Sequence, residues 1–175
     1  LLTGDHSELD ALLGELFAAF EAGDIQQAFQ KLDLFWARLA MHIRAEHLHL
    51  FPAILRALES ENETSRAFDF ETAQNAISKL RGDHDFFMVE LAKAMKEMRD
   101  SSKNERNSSI GLLSVRETIT AVSRRLETHN RSEESEVYQW VDALFSLPER
   151  ENLNRKMRKE LDNPPPRFGK PGKTR

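Results

Sequence analysis

Four long segments of this chain carry apolar residues at alternating spacings of three and four, the spacing that aligns side chains along one face of an α-helix. The segments cover residues 2–22, 24–58, 69–99 and 110–145, and polar stretches at 59–68 and 100–109 separate the later ones. No strand pattern competes with them. Because the connections are fairly short, the sequence predicts an all-α fold, an antiparallel four-helix bundle with up-down-up-down topology.

Prolines mark the boundaries of this bundle. Pro52 is expected to bend or interrupt the second helix because it lacks a backbone donor, and Pro148 is expected to end the fourth. We therefore assign residues 1–147 to the bundle and residues 148–175 to a charged C-terminal extension. Its apolar residues suggest one short helix (Leu153, Met157 and Leu161). The proline-rich basic end, residues 163–175, is expected to be extended or disordered.

Composition excludes several classes of function. The chain has no cysteine, which rules out disulfides and thiolate ligands and fits a reducing, cytoplasmic environment. The net charge is −4, and the basic residues concentrated near the end leave the rest more acidic, so nucleic acid is not expected as the main partner. No apolar run reaches the roughly 18 residues of a spanning helix, so no membrane partner is expected either.

Polar residues occupy seam positions where leucine or alanine would be the ordinary choice. His42 and Glu46 lie four residues apart in the second segment, and His129 and Glu133 repeat that spacing in the fourth. Residues i and i+4 stack on one helix face, so each pair can direct an imidazole and a carboxylate toward the same point. Two metal ligands would need that arrangement.

Histidines in the other two segments, His6 and His84, complete a candidate metal site. A single seam histidine is more often an ordinary core residue, but four of them on four helices, two with paired carboxylates, favour a shared site. Burying two ionised carboxylates without partners would cost several kcal/mol each, and bound metal removes that cost. Four imidazoles and two carboxylates exceed the four ligands of one structural zinc ion but suit two metals if each carboxylate bridges them. This donor set favours iron over manganese or zinc.

Two further histidines follow Glu46. The spacing puts His49 on the inward face, where it could be an added ligand, an outer hydrogen-bond partner of a ligand or a gate residue. The same spacing directs His47 away from the seam, towards solvent.

Together these residues resemble the hemerythrin-like (HHE cation-binding) domains, whose pattern is a histidine, a His-x-x-x-Glu pair, a histidine and a second such pair along a four-helix bundle. The matching stretches are Asp5-His6, His42 to Glu46 with Leu50-Phe51-Pro52 downstream, Asp83-His84, and His129 to Glu133. The likeness spans about residues 1–145.

The resemblance implies a non-haem di-iron centre with an oxo or hydroxo bridge and an open iron position for O2, peroxide or nitric oxide. The implied ligands are His6 and His42 on one iron, His84 and His129 on the other, and Glu46 and Glu133 between them. The oxygen carriers of the family have a second histidine four residues after the third-helix histidine. Met88 occupies that position here, which disfavours reversible oxygen carriage.

Three functions fit these observations. The first is a di-iron protein that senses oxygen or iron, or disposes of peroxide in a catalase-like reaction. The second is an interaction module, with a structural metal site or hydrogen-bonded network inside and a basic tail for an acidic partner. The third is a ferritin-like iron oxidase, which would need two Glu-x-x-His signatures. Glu46 and His49 have that spacing, but Leu126 precedes His129 by three, so the third is the weaker match.

Overall fold

A computed structural model describes residues 2–60, 69–101 and 108–168, and these ranges contain helices and no strand. The α-helices are α1 (Thr3–Glu21), α2 (Ile25–Ala45), α3 (Phe51–Ser60), α4 (Phe70–Ser101), α5 (Ser108–Ser132), α6 (Tyr138–Leu144) and α7 (Leu147–Leu161). A 3₁₀ turn, Pro166–Phe168, follows α7. The predicted all-α class is confirmed, and the up-down-up-down order stays a prediction. Among the described helices, none is long and apolar enough to cross a membrane.

The helices extend into both polar stretches that the sequence predicted as connections, residues 59–68 and residues 100–109. Residues 59 and 60 belong to α3, residues 100 and 101 to α4, and residues 108 and 109 to α5. The remaining parts, residues 61–68 and 102–107, lie outside the described residues.

Two π-helical turns lie within the segments that the sequence predicted as the second and fourth helices. The first, Glu46–Leu50, joins α2 to α3, and the second, Glu133–Val137, joins α5 to α6. Pro52 follows the first turn and removes one backbone donor, in line with the predicted interruption. No proline follows the second turn, and both turns begin at the glutamate of a His-x-x-x-Glu pair. The π geometry is therefore associated with the candidate site and not with proline alone.

The turn between α1 and α2 is fixed by two adjacent residues. Gly23 has a φ of +66°, in the left-handed region that glycine adopts without steric cost, and it ends α1. Asp24 then caps α2, because its side chain accepts a hydrogen bond from the backbone N–H of Gln27 at 2.9 Å. This turn returns the chain so that α2 packs along α1.

The prediction that Pro148 ends the fourth helix was wrong. The helix ends at Leu144, and the chain becomes extended at Phe145. Ser146 and Glu149 then form a capping box that starts α7, with Pro148 in its first turn. A proline fits that position because the first helical N–H groups have no partner within the helix.

The predicted short helix of the extension is α7, and it packs against α2 and the first π turn. Its apolar residues are buried in the protein core (Leu153, Met157 and Leu161). Charged side chains add to this contact, since Arg44 lies 3.1 Å from Glu160 and Arg167 beyond the helix lies 2.7 Å from Asp33. Residues 169–175 of the predicted tail lie outside the described residues.

Two apolar cores lie in succession along the bundle, and polar residues are buried where they meet. One core contains Leu9, Phe35 and Phe87, and the other contains Phe51, Ile77 and Trp140 together with the inner face of α7. In α4, for example, Leu80 belongs to one core and Phe87 to the other, with His84 between them. The fold therefore surrounds the candidate site with apolar side chains on both sides.

Candidate metal centre

The six residues predicted as metal ligands lie together in the interior. Their exposed fractions are between 0% and 3% (His6, His42, Glu46, His84, His129 and Glu133). Charged groups are almost never buried to this extent unless they are paired or bind a metal. The helical seams thus bring residues from α1, α2, α4 and α5 and from the first residue of each π turn to one point.

Each buried carboxylate has one oxygen on each side of the site. Glu46 has Oε1 3.2 Å from Nε2 of His42 and Oε2 3.3 Å from Nε2 of His84. Glu133 has Oε2 3.4 Å from Nε2 of His6 and Oε1 3.2 Å from Nε2 of His129. The histidines are therefore divided into two pairs, and both carboxylates reach across the space between the pairs.

Potential ligand atoms form two groups in which all atoms lie within 4.8 Å of one another. One group is Glu46, His84, His129 and Glu133, and the other is His6, His42 and Glu133. The four carboxylate oxygens receive no hydrogen bond of good geometry from the described residues, although the imidazoles are close. Buried oxygens without donors are costly, and a cation bound to them would offset that cost. The residues present therefore fit a metal site.

The outward nitrogen of each ligand-like histidine also has a partner. Nδ1 of His42 lies 2.7 Å from Asp5, and Nδ1 of His129 lies 3.3 Å from Asp83. Such outer hydrogen bonds orient the imidazole and keep the inward Nε2 lone pair free for a metal.

The other two histidines have their outer partners directly after the buried glutamates. Nδ1 of His6 lies 2.8 Å from the carboxylate of Glu134, and Nδ1 of His84 lies 2.9 Å from Nε2 of His47. Three of the four outer partners in the site are thus carboxylates, and the fourth is the imidazole ring of His47.

Arginines fix the two aspartates from outside. Arg38 donates a hydrogen bond to Asp5, and Arg125 donates one to Asp83 at 2.7 Å. Each arginine lies four residues before the histidine that its aspartate contacts, because His42 and His129 follow at that spacing. The two halves of the site therefore repeat one Arg-to-Asp-to-His arrangement. A carboxylate held by an arginine stays ionised and is a strong acceptor.

Charges in the site change the pKa values of its members. Burial alone would lower the pKa of His42, but the charge of Glu46 and the hydrogen bond with Asp5 outweigh it and raise that pKa well above the ordinary value. Burial also opposes the shift at His129, whose pKa is raised by the adjacent carboxylate of Glu133. Burial would raise the pKa of Glu133, but the adjacent imidazoles of His129, His42 and His6 lower it well below the ordinary value. Without metal, these shifts favour the protonated forms of His42 and His129 beside an ionised Glu133.

Tyr138 is a functional candidate that the sequence reasoning missed. Its hydroxyl lies 3.2 Å from Nε2 of His6, the ring nitrogen that also faces Glu133, and the residue is only 7% exposed. Burial, with the negative charges of Glu133 and Glu46, raises the pKa of the phenol, so it remains a hydrogen-bond donor. The signal available in the sequence was its position, five residues after Glu133.

The structure places His47 and His49 differently from the sequence expectation. Both are partly exposed, but His47 contacts Nδ1 of His84, whereas Nε2 of His49 lies 3.5 Å from Glu160 of α7. Both follow from the π turn that begins at Glu46. A π turn contains more residues than an α turn, so each residue advances by a smaller angle, and His49 leaves the inward face while His47 stays closer to it. His49 belongs to neither group of ligand atoms.

Met88 is partly buried and packs against the apolar core that contains Phe87. His47 does not substitute for the nitrogen ligand missing at that position. It contacts Nδ1 of His84, the ring nitrogen turned away from the carboxylates.

The fold and the site define a helical protein with a buried histidine and carboxylate centre of a kind suited to metal cations. The family model of the hemerythrin HHE cation binding domain matches residues 1–141, and the chain belongs to this family. The resemblance inferred from the sequence is thus confirmed. Searches among curated proteins and among solved structures gave no match. The matched range ends within α6, so α7 follows the family domain.

Proposed function

We propose that this chain is a non-haem di-iron protein that binds or reacts with O2, peroxide or nitric oxide. The observation that carries the proposal is that each buried carboxylate, Glu46 and Glu133, directs one oxygen to each histidine pair. The proposed ligands are His6 and His42 for one iron, His84 and His129 for the other, and Glu46 and Glu133 for both.

The donor chemistry supports iron over manganese or zinc. Imidazole and carboxylate ligands suit iron, and six of them for two ions leave coordination positions for a small molecule. When bound, iron supplies a redox-active Lewis acid. The absence of cysteine leaves no thiolate that would favour zinc or an iron–sulfur cluster.

The residues around the ligands perform three tasks in this proposal. Asp5, Asp83 and Glu134 accept a hydrogen bond from the Nδ1–H of their histidines, which keeps each Nε2 available to a metal. The two apolar cores exclude bulk water, which strengthens the electrostatic interactions of the carboxylates. Tyr138 holds a proton beside His6 and can donate it as a hydrogen bond to a small molecule at the centre.

The proposal is tested by purifying the chain with iron. We expect about two iron ions per chain and the near-ultraviolet absorption of an oxygen-bridged pair, and absence of both would refute the di-iron assignment. His42→Ala and Glu133→Ala should each lower the iron content, and unchanged iron in both would refute the ligand set. Peroxide consumption would then favour disposal of peroxide, whereas a reversible spectral change with O2 and no consumption would favour sensing.

A further inference from the structure

The two halves of the candidate centre repeat one arrangement, and they differ in the group that contacts Nδ1 of His6 and of His84. In each half an arginine holds an aspartate, and the aspartate holds a histidine four residues after the arginine. In each half a glutamate follows four residues later and begins a π turn. The residue directly after that glutamate contacts a histidine of the other half. It is Glu134 beside His6 in one case and His47 beside His84 in the other.

The hydrogen-bond directions at His84 follow from its surroundings. Its Nε2 faces Oε2 of Glu46 at 3.3 Å, so a metal would bind there and the ring proton must lie on Nδ1. That proton is donated to Nε2 of His47 at 2.9 Å, which requires His47 to carry its own proton on Nδ1. His84 therefore donates to an uncharged ring, whereas His6 donates to an anionic carboxylate at 2.8 Å.

An anionic acceptor makes the opposite ring nitrogen a stronger ligand than a neutral acceptor does. It draws the Nδ1 proton away and raises electron density at Nε2, and loss of such a partner commonly weakens metal affinity by about 10-fold to 100-fold. His42 and His129 do not differ in the charge of their outer partners, because each contacts an aspartate held by an arginine, at 2.7 Å and 3.3 Å respectively.

We propose that His47 is a positioning residue for His84 whose neutral ring makes the metal position beside His84 and His129 the weaker of the two. This inference rests on the proposed function, since it needs two metal positions. The two ions would then bind in sequence, first beside His6 and His42 and second beside His84 and His129. The second ion would be the one removed first by a chelator.

The experiment is a titration of the metal-free full chain with Co²⁺, in competition with a chelator whose Co²⁺ affinity is known. Co²⁺ alone is the probe because its visible absorption reports coordination without oxidation in air. The wild type should show two dissociation constants separated by at least about 10-fold. His84→Ala should remove the weaker step, and His6→Ala should remove the tighter one.

Exchange of the two outer partners is the matched control. His47→Glu should tighten the weaker step by about 10-fold and bring the two constants together, whereas Glu134→His should weaken the tighter step by a similar factor. His47→Gln retains a neutral acceptor and should behave as the wild type. Helical circular dichroism of each variant verifies that it is folded, and the Co²⁺ spectrum of the weaker step should change in His47→Glu but not in Glu134→His.

Two outcomes would contradict these proposals, and the experiment tells them apart. If folded wild-type protein binds no Co²⁺, the proposed function fails together with this inference. If two ions bind with equal constants, or if both exchanges leave the constants unchanged, this inference alone is overturned and the metal centre remains.

Discussion

Replacement of Glu133 by glutamine tests whether Glu133 is a ligand shared by two metals or an ordinary buried carboxylate. Glu133 is fully buried and lies against both histidine pairs, whereas the next residue, Glu134, has a side chain that is 41% exposed and lies 2.8 Å from His6. Glu133→Gln keeps the shape but has a single acceptor oxygen, so it cannot offer an oxygen to both metals. Glu134→Gln is the matched control, because it makes the same chemical change one residue away.

The expected magnitudes follow from ligand linkage. Free metal at about 100 times its dissociation constant stabilises a protein by about 2.7 kcal/mol per site, so two sites contribute roughly 5 kcal/mol. For a chain of this size each kcal/mol raises Tm by about 2–4 °C, so metal should raise the Tm of the wild type by roughly 10–20 °C. Glu133→Gln should lose most of that increase. Glu134→Gln weakens one site by about 10-fold, or roughly 1.4 kcal/mol, and should lose only about 3–6 °C.

The assay is thermal unfolding followed by circular dichroism, with and without metal, at one pH and one free-metal concentration. Metal analysis of the same samples shows whether a lost Tm shift reflects lost binding. If metal raises the Tm of Glu133→Gln as much as that of the wild type, Glu133 is not a ligand to both ions and the reasoning from its two oxygens is refuted.

Three further outcomes are expected. Because the pKa of His42 is raised above its ordinary value of 6.5, its ion pairs stabilise the metal-free protein fully below pH 6.5 and are lost as pH rises through the raised pKa. Metal needs neutral imidazole, so the Tm increase on metal addition should grow as pH rises above 6.5. Tyr138→Phe should leave metal content unchanged and, by removing the hydrogen bond to His6, lower the unfolding free energy of the metal-free protein by about 1 kcal/mol in urea titrations. Met157→Ala should lower the unfolding free energy by about 2–5 kcal/mol because Met157 is fully buried. Lys156→Ala, at an exposed position, should lower it by less than about 0.5 kcal/mol, and equal values would mean that α7 does not pack on the bundle in solution.

The ligand-like residues could be predicted from the sequence because their signal is local. His129 and Glu133 share a face of one helix at a spacing of four, and an inward-facing charged pair contradicts the apolar seam around it. The family resemblance then connected the four helices. Helix periodicity alone could not show that both carboxylates reach both histidine pairs, because that depends on how the helices are aligned.

The outer partners could not be predicted because they lie on other helices. Asp5 precedes His6 in the sequence but contacts His42, and Asp83 precedes His84 but contacts His129. The π turn caused the remaining error, at His47. Every argument from a period of 3.6 residues assumes an uninterrupted α-helix, and a single π turn changes which of the following residues faces inward.

The pairing of residues also shows why neither half of the chain can complete the site. The first half supplies His42 and Glu46, and the second half supplies His129 and Glu133. Glu134 and His47 each contact a histidine of the other half, and each buried glutamate also places one oxygen beside a histidine of the other half. Two metals bridged by these carboxylates would therefore act as cross-links between α1–α3 and α4–α6, at the level where the two apolar cores meet. The stability gained from metal should accordingly appear as one cooperative unfolding transition shifted to higher temperature, because the complete ligand set exists only while the halves are packed together.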